Sequence, residues 1–329
     1  MPASADQTFS RDAMLYRRQI SMTYQQRLWV SRSDQKGDCL EVKRDSLSGK
    51  ILRILLSLSY AATLIAFPAQ AQSEPERWVV YYGDKEPAER FRDFDLIVFD
   101  RDSHPSLEPL RREKRIILGY VSFGEAEAFR ADYERLSAAG LLIKENPLWK
   151  DHSVIDIRRS EWTEHLTSVV IPQVIAKGFD GVMLDTVDSP LELEADDPNR
   201  FRGMADAAIR TLHALRTRYP QLKIMLNRGF EILPAVSNDI DLILAENLYT
   251  DWQPGEAKPR LVSHSEYLQA LNTIKSTVRR APHLKVYTID YWPEGDREGS
   301  KKIYQAMRAQ GFVPYVADIE LQSIQPEPR

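Results

Sequence analysis

The chain has one cysteine, Cys39, in 329 residues, and it precedes the only long apolar run. A product beginning at Gln72 has no cysteine at all, which excludes both disulfides and a thiol nucleophile. Glycine is also sparse where a dinucleotide would need it. The first strand-like run is followed by Tyr82-Gly83-Asp84-Lys85, with no phosphate-cradling loop. The six histidines form no HExxH pair, and Ser122-Phe123-Gly124 is not a nucleophile elbow. Basic residues nowhere gather into a stripe with interleaved aromatics. The whole chain carries a net charge of −4. Residues 1–71 hold 10 Lys/Arg and 6 Asp/Glu, so the part from Gln72 keeps 34 basic and 42 acidic groups and a net charge of −8. That balance argues against nucleic acid and suits an uncharged or cationic ligand.

Residues 51–67, ILRILLSLSYAATLIAF, follow Lys43, Arg44 and Lys50 and precede Ala69-Gln70-Ala71. A basic flank, a short apolar block and a small-x-small site make residues 50–71 a secretory signal peptide rather than a membrane span. The rival reading is an uncleaved anchor. Residues 1–49 form a polar, aperiodic leader unlike the start of a signal, as if translation began near Val42 or Leu47. Export of residues 72–329 to the periplasm or medium of a bacterium is the expectation, with no span in the mature form.

Those 258 residues hold eight short apolar runs rich in β-branched residues: 78–82, 95–99, 115–121, 181–184, 223–226, 241–245, 285–289 and 312–316. Helix-like segments separate most of them, at 106–114, 132–139, 160–177, 202–218, 265–280 and 300–310. In 202–218 the residues Met204, Ala208, Leu212 and Leu215 share one stripe, and Lys177-Gly178 marks a helix end. Eight strands alternating with helices in this length predict a single-domain (β/α)8 barrel, with an elaborated loop at 122–159 after the third strand. A doubly wound open sheet is the competitor. Pro314 is a warning that the last strand is broken or starts late.

Several runs end in a polar group: Leu96–Phe99 in Asp100, Val182–Leu184 in Asp185, Lys223–Leu226 in Asn227, Asp241–Ala245 in Glu246 and Lys285–Ile289 in Asp290. In a barrel these ends meet at one mouth, together with Tyr82, Glu125 and Asp188. Acetal hydrolysis needs one protonated and one ionised carboxyl, and close carboxylates push their pKa values apart. Tyr82, Tyr120, Trp149, Tyr249, Trp252, Tyr291 and Trp292 offer aromatic faces for sugar rings. Plainer readings stand beside these. Asp100 reads equally as a turn cap, Glu125 and Glu127 with Arg130 as a surface salt network, and Asp290 as an organiser of the loop beginning Tyr291-Trp292-Pro293. His104, in FDRDSHP, is the best metal-ligand candidate, but the pattern is weak and no metal or cofactor is expected.

WVVYYG at 78–83, ILGYVSFGEAEAFR at 117–130, GFDGVMLDTVD at 178–188 and ILAENLY at 243–249 together resemble the endo-α-1,4-polygalactosaminidases, glycoside hydrolase family 114. The resemblance spans roughly 76–318. It implies a (β/α)8 barrel that cuts galactosamine-containing exopolysaccharide, with catalytic acids at Asp185 and Glu246. By likeness to α-galactosidase-type barrels, Asp185 is then the nucleophile or charge stabiliser and Glu246 the proton donor. Tyr82, Asp100, Tyr120, Glu125, Asp188, Asn227, Tyr249, Asp290 and Tyr291 are the expected substrate-binding residues. A non-catalytic carbohydrate-binding barrel and a metal-dependent polysaccharide deacetylase are the alternatives. The hydrolase reading requires Asp185 and Glu246 to face each other across an open groove, within about 5–10 Å.

Overall fold

The computed structural model describes residues 76–111, 115–147, 150–252 and 259–328. The leader, the signal peptide and Trp149 lie outside them. Among the described residues no helix is long and apolar enough to cross a membrane.

Eight parallel strands follow one another in sequence order around the sheet. They are β1 (Trp78–Tyr81), β2 (Leu96–Asp100), β3 (Ile116–Ser122), β4 (Gly181–Asp185), β5 (Lys223–Asn227), β6 (Leu242–Glu246), β7 (Lys285–Tyr291) and β8 (Val313–Ala317). β8 returns beside β1 and nearly closes the barrel. The ring of Trp78 on β1 meets Tyr315 on β8 edge-on at 6.0 Å and Tyr287 on β7 at 5.3 Å. Because β7 is not a neighbour of β1, the second contact crosses the lumen, so these three buried rings form the barrel floor. Side chains alternate along a strand, so Ile289 and Tyr291 share the lumen face with Tyr287, while Thr288 and Asp290 point to the outer face.

The apolar runs become strands within two residues of their predicted ends because both faces of each are covered. The outer layer uses the stripe of the helix Met204–Arg218, where Met204, Ala208, Leu212 and Leu215 are all fully buried. Pro314 does not break β8. It pairs in register with Thr288 of β7, and β8 occupies the closing edge, where a missing N–H is tolerated. The predicted helix 160–177 is interrupted: α-helix Ser160–His165 and α-helix Ile171–Lys177 flank a π-helical turn, Leu166–Val170. Pro172 has no N–H to give back to the preceding turn, and the ladder widens just before it. Gly178, at φ 96°, ends the segment.

The excursion after β3 is folded rather than a plain loop. Glu125–Glu127, His152–Ile155 and Leu142–Glu145 form a three-stranded antiparallel sheet, with the helix Tyr133–Ala138 in the connection.

Gly181 opens β4 where no side chain fits: an added Cβ would lie 2.0 Å from the Lys223 carbonyl oxygen. Backbone cannot swing aside as a side chain can. Gly181→Ala is therefore expected to lower unfolding free energy by about 2–4 kcal/mol, read from the midpoint of denaturant unfolding.

Candidate active site at the mouth of the barrel

Asp100, Ser122, Asp185, Asn227, Glu246 and Tyr291 are the last residues of β2 to β7. After β4, β5 and β6 the chain turns through a non-glycine residue in the left-handed region: Thr186 at φ 58°, Arg228 at 56° and Asn247 at 54°. Such residues cost on the order of 1–3 kcal/mol each and persist only where their surroundings hold them. Those surroundings are visible. The Thr186 hydroxyl lies 2.9 Å from Ser122 Oγ and accepts from the Gly124 N–H at 3.0 Å. Arg228 donates from Nε to Asp188 at 2.9 Å and from Nη1 to the Glu246 carbonyl at 3.0 Å. The Asn247 N–H donates to the Ile289 carbonyl at 2.8 Å. These sharp turns keep the Asp185, Asn227 and Glu246 side chains at one level.

Asn227 is fully enclosed, and its Nδ2 donates to Asp185 Oδ1 at 2.7 Å and to Glu246 Oε2 at 2.6 Å. Both neighbours accept, which fixes the orientation of the amide. The two distances together cap the separation of those carboxylate oxygens at about 5.3 Å. The other oxygen of Glu246 receives the Tyr291 hydroxyl at 2.5 Å. Both acids remain partly exposed, whereas Asn227 and Tyr291 are buried.

Burial first, and then the charge of Glu246, push the Asp185 carboxyl up to about 7, against the opposing donor from Asn227. Asp188 is also raised, by burial, with the Arg228 guanidinium pulling the other way. The site thus retains a proton on Asp185 at pH values where an ordinary aspartic acid has lost it.

The other residues expected at the site divide between this cluster and elsewhere. Asp188 joins it through Arg228. Tyr249 lies on the segment leaving β6, partly exposed and edge-on to Tyr267 at 6.1 Å. Tyr82 and Tyr120 pack edge-on to each other at 5.2 Å in the β1–β3 sector, both buried. Asp100 sits there too, with its oxygens on Arg130 at 2.7 and 3.0 Å and on the N–H groups of Asp102 and Ser103. The turn-capping reading of Asp100 thus describes what it touches. Glu125 is turned into the insertion, accepting from Asn146 at 2.8 Å and Ser189 at 2.6 Å beside His152 at 3.1 Å. Asp290 points outward. Its Oδ1 accepts the Tyr249 and Thr250 N–H groups, both at 2.8 Å, and burial pushes its carboxyl up to about 6. It orders the segment after β6 rather than the one beginning at Tyr291.

Arg130 is only 8% exposed, and its pairs with Glu127 and Asp100 are buried rather than a surface network, with half-exposed Asp102 on their outer side. Sequence reasoning also missed Arg228, whose one signal is its place directly after the strand-ending Asn227. His104 packs between Phe99 and Phe179, with Nδ1 2.8 Å from the Pro105 carbonyl oxygen. Among the described residues no three His, Cys, Asp or Glu side chains are grouped to hold a metal ion.

A sequence model described as glycoside-hydrolase family GH114 matches residues 61–328. An uncharacterized protein of Thermotoga maritima is 25% identical over 279 residues, covering 75% of this chain and 82% of the relative. One of Deinococcus radiodurans is 26% identical over 247 residues, 70% of this chain and 75% of the relative. Among solved structures, the glycoside hydrolase domain of PelA from Pseudomonas aeruginosa superposes with a TM-score of 0.68 at 23% identity, covering 77% of this chain and 98% of that one. Ega3 of Aspergillus fumigatus, in complex with galactosamine, gives 0.55 at 17%, covering 75% and 92%. At these identities the two structures speak for the fold.

A carboxyl pushed upward by folding binds its proton more tightly in the native chain than in the unfolded one. The native state therefore loses stability as pH rises from 3.8 through about 7. Asp185→Asn, which cannot ionise, is expected to melt several degrees above the wild type at pH 8, with the gap closing toward pH 4 in calorimetric scans.

Proposed function

The chain belongs to glycoside-hydrolase family GH114 and is a glycoside hydrolase acting on polysaccharide, and we propose that Asp185 and Glu246 carry out the cleavage on an exported α-1,4-linked galactosamine polymer. The observation that carries this reading is the single Asn227 amide shared by both carboxylates. Two acids spaced by one nitrogen suit a retaining double displacement, for which about 5–5.5 Å is typical, better than inversion, which leaves about 6.5–9.5 Å for a water.

In that reaction one carboxylate attacks the anomeric carbon while the other protonates the departing glycosidic oxygen, leaving a glycosyl ester on the first. The second then takes a proton from water as that water attacks the anomeric carbon and displaces the first carboxylate, which restores both acids. The chemistry needs one proton for two carboxyls, and the raised Asp185 supplies that count near neutrality. By likeness to α-galactosidase-type barrels, Asp185 attacks and Glu246 donates. The proton that rests on Asp185 in the free site must then pass to Glu246 as the sugar is seated, a path inside the pair.

The galactosamine assignment draws on the mature net charge of −8 and the acids around the mouth, Asp185, Asp188 and Glu246. A partly deacetylated galactosamine polymer is cationic, and Ega3, similar in fold, was solved with galactosamine. Export rests on the signal-like residues 50–71. Mass analysis of products from partly deacetylated galactosaminogalactan, with chitosan and starch as controls, tests the substrate. Release of oligomers from the first alone supports it, and binding without new reducing ends overturns it.

Asp185→Asn and Glu246→Gln are each expected to reduce polymer cleavage at least a hundredfold while still melting cooperatively. Azide should restore turnover, with an inverted glycosyl azide product, only in the variant lacking the nucleophile. Wild-type kcat/KM should fall as pH rises through about 7, when the pair loses its shared proton, a limb read from initial rates between pH 4 and 9.

A further inference from the structure

Building on the paired-carboxylate reading above, with Glu246 as the acid, we propose that Arg228 is a positioning residue. It ties the main chain at Glu246 to the turn after β4, and so holds the Glu246 carboxyl where it can protonate the leaving oxygen. Asn227 and Arg228 are consecutive, and each bridges the exit of β4 to β6. The Asn227 amide joins side chains, Asp185 Oδ1 and Glu246 Oε2. One residue on, Arg228 joins Asp188 Oδ2, through Nε at 2.9 Å, to the Glu246 carbonyl oxygen, through Nη1 at 3.0 Å. The acid is thus gripped twice, by its carboxyl and by its own peptide.

A carboxyl held only at its tip still swings with its backbone. Pinning the carbonyl fixes the peptide between Glu246 and Asn247, where the chain turns away at φ 54°, and with it the direction in which the acid leaves the strand. The brace is itself held at both ends. The Arg228 N–H donates to the Leu244 carbonyl of β6 at 3.0 Å. Asp188 opens the helix Asp188–Asp196, and the next residue, Ser189, donates its hydroxyl to the buried Glu125 at 2.6 Å. Glu125, from the insertion after β3, thereby steadies the turn that carries Asp188. The Arg228 and Asp188 side chains are only 12% and 15% exposed. Burial opposes the Arg228 charge, but Asp188, Glu192, Glu246 and Glu231 outweigh it, so the guanidinium stays protonated. A rigid planar fork serves a carboxylate and a carbonyl at once, whereas lysine carries the same charge on one nitrogen of a flexible stem.

Arg228→Lys keeps the charge and gives up the fork. Its kcat/KM on the galactosamine polymer is expected to fall about thirtyfold while the protein still melts cooperatively. On a dinitrophenyl α-galactosaminide, whose phenolate departs without a proton, the fall should be less than about threefold. Because kcat/KM reports only the steps up to the glycosyl ester, the later proton transfer from water does not enter. The neutral Arg228→Gln should show the same contrast. Equal losses on both substrates, or wild-type values on both, overturn the proposal. Glu246→Gln is run beside them, and an equal loss there places the fault in the roles assigned to the two acids. A second measurement needs no turnover. The two side-chain amide hydrogens of Asn227 serve the two acids, and their resonances in the full chain can be assigned with Asn227→Asp. In Arg228→Lys the hydrogen on Glu246 should shift and the one on Asp185 should stay; superposable resonances overturn the proposal. If the wild type cuts no galactosamine polymer, the substrate reading fails by itself and these resonances still decide the role of Arg228.

Discussion

Two like charges held within a few ångströms repel, and the site exists because one amide offers both of them a hydrogen at the same time. Asn227 can do this only from a fixed place. It ends β5, between the strands that carry Asp185 and Glu246, and its side chain is enclosed so that the amide cannot rotate toward water. The raised Asp185 carboxyl follows from burial first and then from the charge of Glu246, which the shared amide opposes without cancelling. Stability and chemistry are opposed here. Enclosure that makes an ionised Asp185 costly to the fold also leaves one proton available at neutral pH.

The barrel's contribution is the level at which these groups emerge. Parallel registry places Ser122 opposite Asp185, and Leu184 opposite Leu226 one step below the mouth. Three residues in the left-handed region then redirect the chain immediately after Asp185, Asn227 and Glu246. Gly124 shows how close the packing is at one of them: a Cβ there would come within 2.1 Å of the Thr186 carbonyl oxygen. The insertion after β3 and the turn after β4 are therefore built against each other.

Much of the fold was legible because parallel strands covered on both faces read as continuous apolar runs, and the runs ending in Asp100, Asp185, Asn227 and Glu246 stopped where the strands stop. The small sheet was not legible. Glu125-Ala126-Glu127 and Leu142–Glu145 are too short and too charged to stand out, and they become strands only by pairing with His152–Ile155. Nothing in a threonine or an arginine announces positive φ, so the turns at Thr186 and Arg228 were equally silent. At the mouth, sequence located residues but not their partners. Tyr291 and Asn227 were read as sugar contacts, yet they are bonded to carboxylates 19 to 45 positions away, pairings that exist only once the barrel closes. Asp290 and Tyr291 are adjacent in the chain and face opposite sides of the wall.

The buried guanidinium of Arg130 decides which part of the rim is free to vary. With Asp100, Glu127, Tyr120 and Tyr82 it packs the β1–β3 quarter of the rim to the exclusion of solvent. At the mouth, Asp185, Asp188 and Glu246 stay partly exposed, on the arc from β4 to β6. Substitutions in the connections after these strands can therefore alter that arc while the packed quarter beside it holds the strand ends in place.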